Sequence, residues 1–379
     1  MSGNPLRALE AAGQAVWLDF LDRKLLDEGR LQRLIDEDGV KGLTSNPSIF
    51  EKAIGEGDAY DERLRSLTGS SGDRPEGLYE RIAVADIQRA ADIFRPTYDR
   101  LGGRDGYVSL EVSPGLASDT QGTIAEARRL WRAVDRPNLM IKVPGTAEGV
   151  PAIRALIGEG INVNVTLLFG LDAYLAVAEA HIAGLEALKA SGGDLSRVHG
   201  VARFFVSRID TKIDKTIDER LKTADAEEAE ALRRLRGKIA IANAKVAYQR
   251  YLGLTKSERW RRLADAGAAP QRLLWASTGT KDPAFSDTLY VESLIGPDTV
   301  DTVPPKTMDA FRDHGVVAET LTADVKGAER DLAEAERLGL DLGGVTRALV
   351  PEGVRQFAQS FDALLQAVAR KRERVLGAA

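Results

Sequence analysis

Cysteine is missing from all 379 residues, which excludes disulfides, thiolate metal sites, iron–sulfur clusters and a cysteine nucleophile together. Histidine is nearly missing: His181, His199 and His314 are the only three. None has metal-ligand spacing or a serine nucleophile beside it, so a metal-dependent or Ser-His mechanism has little support. Long apolar runs are absent too. No segment reaches the length needed to span a bilayer, and Met1–Phe20 lacks the basic and apolar blocks of a signal peptide. Positive charge is not in excess: a formal net charge of −5 argues against a polyanion-binding surface. These absences predict a cytoplasmic protein without nucleic-acid or membrane partners; the sequence leaves open whether it is a monomer or a homodimer.

What is present is ordinary for a globular chain, 44% hydrophobic and 29% charged, and long enough for one barrel with insertions. Two formal motif matches carry no weight. Gly55 and Gly57 make a GxG without a third glycine or a strand–turn–helix context. Asn164–Val165–Thr166 matches the glycosylation triplet, but on a buried strand of a cytosolic chain.

Short apolar runs alternate with longer stretches of helical period, the pattern of βα units around a parallel sheet. Eight runs are predicted as strands: Ala15–Asp19, Val40–Thr44, Tyr107–Val112, Leu139–Val143, Ile161–Leu167, Val201–Val206, Arg272–Ser277 and Thr299–Val303. Eight closes a barrel. Amphipathic helices are predicted over Pro75–Arg100, Thr120–Val134, Gly149–Ile157, Asp172–Ala190, Thr322–Leu338 and Val354–Val375. The Glu/Lys/Arg-rich stretch from Arg208 to Arg272 is too long for one connection and predicts two or three extra helices. Thr68–Gly72 reads as a Gly/Ser loop. With no repeat and no linker, residues 1–379 are expected to form a single α/β domain, a (β/α)₈ barrel with an added helical segment at about 209–271 and further helix at the C-terminus.

Successive side chains on a strand point to opposite faces, so each run splits into two. In Ile161–Leu167, Ile161, Val163, Val165 and Leu167 share one face, and Asn162, Asn164 and Thr166 the other, which should line a wet pocket. In Tyr107–Val112 the polar face holds Tyr107, Ser109 and Glu111, and in Leu139–Val143 it holds Met140 and Lys142. The ionisable groups fall at the carboxyl ends of the runs, where barrel active sites lie. An inward lysine has a plain explanation, an ion pair with Glu111 or Asp19, or a side chain snorkelling at a strand end. The chemical explanation is a nucleophilic amine: burial disfavours the ammonium form, and imine formation needs a nearby carboxyl as proton shuttle. Glu111 and Asp19 are the inward candidates.

Six segments, GLTSNPSIF (Gly42–Phe50), SLEVSP (Ser109–Pro114), LMIKVPGTAEG (Leu139–Gly149), NVTLLFG (Asn164–Gly170), FFVSRID (Phe204–Asp210) and WASTGTKDP (Trp275–Pro283), together resemble transaldolase, in its longer bacterial form. The resemblance spans nearly the whole chain. It implies a ping-pong transfer of a dihydroxyacetone unit between sugar phosphates, with fructose 6-phosphate or sedoheptulose 7-phosphate as donor. Erythrose 4-phosphate or glyceraldehyde 3-phosphate would accept it, within the pentose phosphate pathway and without a cofactor or metal. By the same resemblance Lys142 forms the Schiff base, Glu111 and Thr166 hold the proton-shuttling water, and Asp19 takes the proton of the hydroxyl at the cleaved bond. Asn46, Asn164 and Ser277 would bind substrate hydroxyls, Phe205 would shape the pocket, and Arg208 would grip the phosphate through its planar fork.

Two positions depart from the family pattern. Arg203 stands where a serine usually precedes FFVSR, and either joins Phe205 inside the barrel or leans out along its rim. Gly279 stands where shorter members carry an arginine, leaving Lys281 as the second phosphate contact. A simple aldolase releasing free dihydroxyacetone, or a silent barrel kept for binding or assembly, are the competing readings.

Overall fold

The computed structural model describes residues 3–67 and 74–377; the predicted loop Thr68–Gly72 lies outside them. Eight strands close into a barrel, every neighbouring pair parallel: β1 (Gln14–Leu18), β2 (Gly42–Thr44), β3 (Tyr107–Glu111), β4 (Leu139–Pro144), β5 (Val163–Leu168), β6 (Gly200–Phe205), β7 (Arg272–Ala276) and β8 (Thr299–Val303), with β8 pairing back to β1. All eight predicted runs are strands, with ends displaced by at most two residues.

The helices follow local rules. Thr120–Val134 starts where Asp119 accepts a hydrogen bond from the Gly122 amide and stops where Asp135 turns left-handed. Between those caps it buries Ile124, Ala127, Leu130 and Val134 at three- and four-residue spacing against the sheet, each larger side chain contributing about 1.5–3 kcal/mol. After β6 come four helices rather than two or three: Ser207–Arg220, Ala226–Leu235, Ile239–Thr255 and Glu258–Ala264. The final helix runs from Leu342 to Gly377 and carries Pro351 inside it, so it starts twelve residues earlier than predicted.

The amino-terminal end of the barrel is sealed. Trp17 of β1 donates from its indole nitrogen to Asp105 at 3.0 Å, and Asp105 is bridged by Arg272 of β7 at 3.0 Å. Gly42 of β2 leaves room for this plug, since a Cβ there would stand 2.5 Å from the Trp17 ring. Asn162, expected to line the wet pocket, works at this level instead. Its amide nitrogen donates to the carbonyls of Pro137 and Leu139, and its oxygen accepts from the His199 amide.

Asp301 of β8 is fully buried, accepting from Thr278 Oγ1 at 3.0 Å through one oxygen while the other has no protein partner. Burial pushes its pKa to about 7; burial does the same to Asp210, also to about 7. A carboxyl whose pKa rises on folding stabilises the native state below about pH 4, and that contribution is lost as pH climbs through 7. Thermal stability is therefore expected to decline between pH 5 and pH 8. Asp301→Asn should recover on the order of 4 kcal/mol at pH 8 and less than half of that at pH 5, as denaturant melts at the two pH values will read.

Candidate active site

Lateral register builds the centre of the site. Glu111 on β3 pairs with Lys142 on β4, and Lys142 with Asn164 on β5, so these three side chains stand side by side at one level facing inward. The level falls at the last residue of β3 and past the middle of β4, where the period-two reading placed the ionisable groups, and at the second residue of β5. Lys142 is 0% exposed. Its Nζ donates to Glu111 Oε2 at 2.9 Å and to the carbonyl of Ser45 at 2.8 Å. Burial holds the ammonium below the usual lysine pKa, against the opposing attraction of Glu111 and Asp19.

Asn164 donates to Ser109 Oγ at 3.0 Å, while its own Oδ1 and the hydroxyl of Thr166 are buried without a protein partner. Buried polar atoms normally find partners, and these two find none in the protein. The chain breaks its alternation just beyond: the β5–β6 register shifts between Val165 and Leu168, and Leu167 has φ 62°. Leu167 was expected to share an outer face with Val165. The bulge turns it instead toward the final helix, where a Cβ on Gly353 would lie 2.5 Å from its Cδ2.

Asp19 follows β1 and is gripped on both oxygens. Thr44 Oγ1 donates to Oδ1 at 2.6 Å, and Arg203 Nη2 donates to Oδ2 at 2.9 Å. Arg203 is 3% exposed, which decides between its two expected placements: it shares the barrel interior with Phe205 and does not lie on the rim. Phe205, buried, packs between two cations, with the guanidinium carbons of Arg203 and Arg208 each 5.3 Å from its ring centroid.

Two cations gather at the mouth. Arg208 opens the helix after β6 and donates to Gln356 Oε1 at 2.8 Å. Desolvation first, then the charge of Arg203, lowers its pKa. Lys281 is lowered as well, by desolvation and then by Arg208, which places these two cations within electrostatic reach of each other. Ser277 holds φ 57°, its hydroxyl 2.9 Å from that of Ser207, while the Ser207 amide donates to the Ser277 carbonyl at 3.1 Å. Strain of this kind persists where surrounding structure enforces it and concentrates at active sites. Asn46 caps the helix Pro47–Gly55 through Oδ1, which accepts from the Ile49 amide at 3.1 Å and the Ser48 hydroxyl at 2.7 Å.

The structure thus gathers Lys142, Glu111, Asp19, Thr166, Asn164, Phe205 and Arg203 in the barrel, with Asn46, Ser277, Arg208 and Lys281 on the loops and helix starts above β2, β6 and β7. Sequence reasoning missed the roof. Phe357 of the final helix stands 6.0 Å from Lys142 Nζ, and its neighbour Gln356 holds Arg208. It also missed Thr44 and the Ser45 carbonyl, although both lie beside Asn46 in a segment already singled out. Among the described residues no cluster of three metal-ligating side chains occurs and no helix is long and apolar enough to cross a membrane.

A buried amine beside a carboxylate, at the carboxyl end of a barrel strand with cations at the mouth, suits imine chemistry on an anionic carbonyl compound. Comparison with known proteins gives the family. Residues 16–368 match the family model described as Transaldolase/Fructose-6-phosphate aldolase. A Transaldolase of Thermobifida fusca (strain YX) is 51% identical over 370 residues, covering 97% of this chain and 98% of its own. A Transaldolase of Parafrankia sp. (strain EAN1pec) is 51% identical over 365 residues, 96% and 97% of the two chains. Transaldolase 1 of Streptomyces avermitilis is 49% identical over 365 residues, 96% and 94%. Matched along nearly its whole length, the chain belongs to the transaldolase/fructose-6-phosphate aldolase family.

Proposed function

We infer that this protein is a transaldolase acting on sugar phosphates through a Schiff base on Lys142, and one observation carries the assignment of the nucleophile. Lys142 is a fully buried amine, depressed in pKa, hydrogen-bonded to Glu111 and aimed into the carboxyl end of a closed barrel. In this reading the neutral amine adds to the C2 carbonyl of the donor ketose. Glu111, with Thr166, holds the water that delivers and removes protons as the carbinolamine loses hydroxide to become the imine. Asp19 then takes the proton of the C4 hydroxyl, the C3–C4 bond breaks, and the electron pair passes into the imine to leave a three-carbon enamine. The shortened aldose phosphate departs, and an acceptor aldehyde takes the enamine carbon by the reverse steps. Asn164, Asn46 and Ser277 hold the hydroxyls of the retained unit, and Phe205 shapes its pocket. The family resemblance supports these roles, and no cofactor or metal enters them.

Arg208 and Lys281 receive the phosphate. Among the described residues Arg208 has only the neutral Gln356 as its hydrogen-bonded partner, so an arriving phosphate exchanges one amide for a charge-assisted pair. Arg208→Ala is expected to lower kcat/KM by roughly 10–100-fold, the loss of charged hydrogen bonds, chiefly through KM. Steady-state kinetics with fructose 6-phosphate will read the split.

The reading also takes the chain as one barrel domain at work in the cytoplasm, with the four helices after β6 as an insertion. Its test is a two-substrate assay. With fructose 6-phosphate alone, little free dihydroxyacetone should appear. With erythrose 4-phosphate added, glyceraldehyde 3-phosphate and sedoheptulose 7-phosphate should form in equal amounts. Equal release of dihydroxyacetone with and without acceptor would make it a simple aldolase, and no turnover would make it a silent barrel.

A further inference from the structure

We propose that Arg203 is a positioning residue for the bond-breaking step, fixing the Asp19 carboxylate where it can take the proton of the cleaved carbon's hydroxyl; the proposal rests on the Lys142 imine reading. Arg203 lies on β6 in register with Leu274 of β7 and reaches the end of β1 on the far side of the barrel. There it supplies one of the two donors on Asp19, and Thr44 of β2 supplies the other. The carboxylate is thereby tethered from two directions, and its orientation no longer depends on its own two torsions. The guanidinium is itself constrained, by its packing on Phe205 and by burial.

A guanidinium with a buried, unpartnered Nε is an expensive way to hold a strand end, because donors without partners weigh against the folded state. Its placement makes sense if the fork is arranged for chemistry. The same cation touches the other half of the reaction through its field. Lys142 faces Glu111 from β3, Asp19 from β1 and Arg203 from β6, and of these Arg203 alone pushes the ammonium toward neutrality. Removing Arg203 takes that push away and leaves Asp19 as an unpaired anion, and both changes favour the charged lysine.

The test compares the full-length protein with Arg203→Ser and Arg203→Lys. Arg203→Ser should lower kcat by at least about tenfold, within the range for a disturbed proton transfer, with a smaller change in KM for fructose 6-phosphate. The acid limb of its kcat/KM profile should move to higher pH. Arg203→Lys should restore the limb, because it restores the charge, but only part of kcat, because an ammonium lacks the fork. Borohydride reduction supplies a second readout. Imine caught before cleavage carries six donor carbons, and enamine protonated after cleavage carries three. The six-carbon share on Lys142 should rise in Arg203→Ser. An unchanged six-carbon share with an unmoved acid limb overturns the proposal, as does a rise in KM alone, which would make Arg203 a simple substrate contact. If the unsubstituted protein gives no adduct on Lys142, the imine reading itself falls; if adducts form but Arg203→Ser alters neither readout, only the role of Arg203 falls.

Discussion

Lys142→Met is expected to reduce transfer activity by about 10⁵-fold or more, roughly 7 kcal/mol of transition-state stabilisation at 1.36 kcal/mol per decade. Without the amine no covalent step remains, and among the described residues no other lysine is bonded to Glu111. Methionine has nearly the shape of the lysine stem and no charge, so the fully buried stem stays packed. The cost falls on Glu111, which loses its ion-pair partner but is less deeply buried than Lys142 and can reach water. The variant should therefore fold, with an unchanged circular dichroism spectrum. A variant that folds and keeps a tenth of the activity would remove Lys142 from the chemistry.

Glu111→Gln separates the two jobs of that carboxylate. As proton shuttle its loss should cost about 10²–10⁴-fold in kcat. As a negative charge 2.9 Å from Lys142, it raises the lysine pKa against the larger effect of burial. Neutralising it therefore lowers that pKa further, and the acid limb of kcat/KM should shift to lower pH while the whole profile sinks. The direction is opposite to that expected for Arg203→Ser, so the pair of profiles distinguishes charge effects from general loss of structure. Stopped-flow or coupled assays between pH 5 and 9 will show it. A profile that sinks without moving would mean that Glu111 does not set the state of Lys142.

Much of this architecture was legible because strands impose a strict period of two. Tyr107, Ser109 and Glu111, and likewise Met140 and Lys142, could be assigned inward from spacing, and the lateral register of β3, β4 and β5 then placed Glu111, Lys142 and Asn164 at one level. The same rule failed at Leu167, where a bulge and a left-handed residue interrupt it, and at Asn162, whose face was right but whose partners are backbone groups at the strand starts. Spacing along one strand carries no information about partners on another. The pairing of Arg203 with Asp19, 184 residues apart, needed the closed barrel to become visible. So did the roof: Phe357 and Gln356 fall within a predicted amphipathic helix, but nothing in its periodicity says that it crosses the mouth above Lys142. The helix that Asn46 caps was passed over, although Asn followed by Pro at the first helical position is a readable start signal.

The central claim is that Lys142 carries the three-carbon unit as a covalent imine, and borohydride trapping measures it directly. The unsubstituted protein is incubated with fructose 6-phosphate, reduced, digested and mapped by mass spectrometry. The expected result is a reduced three-carbon adduct on the peptide containing Lys142, absent when donor or borohydride is omitted. An adduct on a different lysine, or none in a preparation that turns over substrate, would contradict the mechanism.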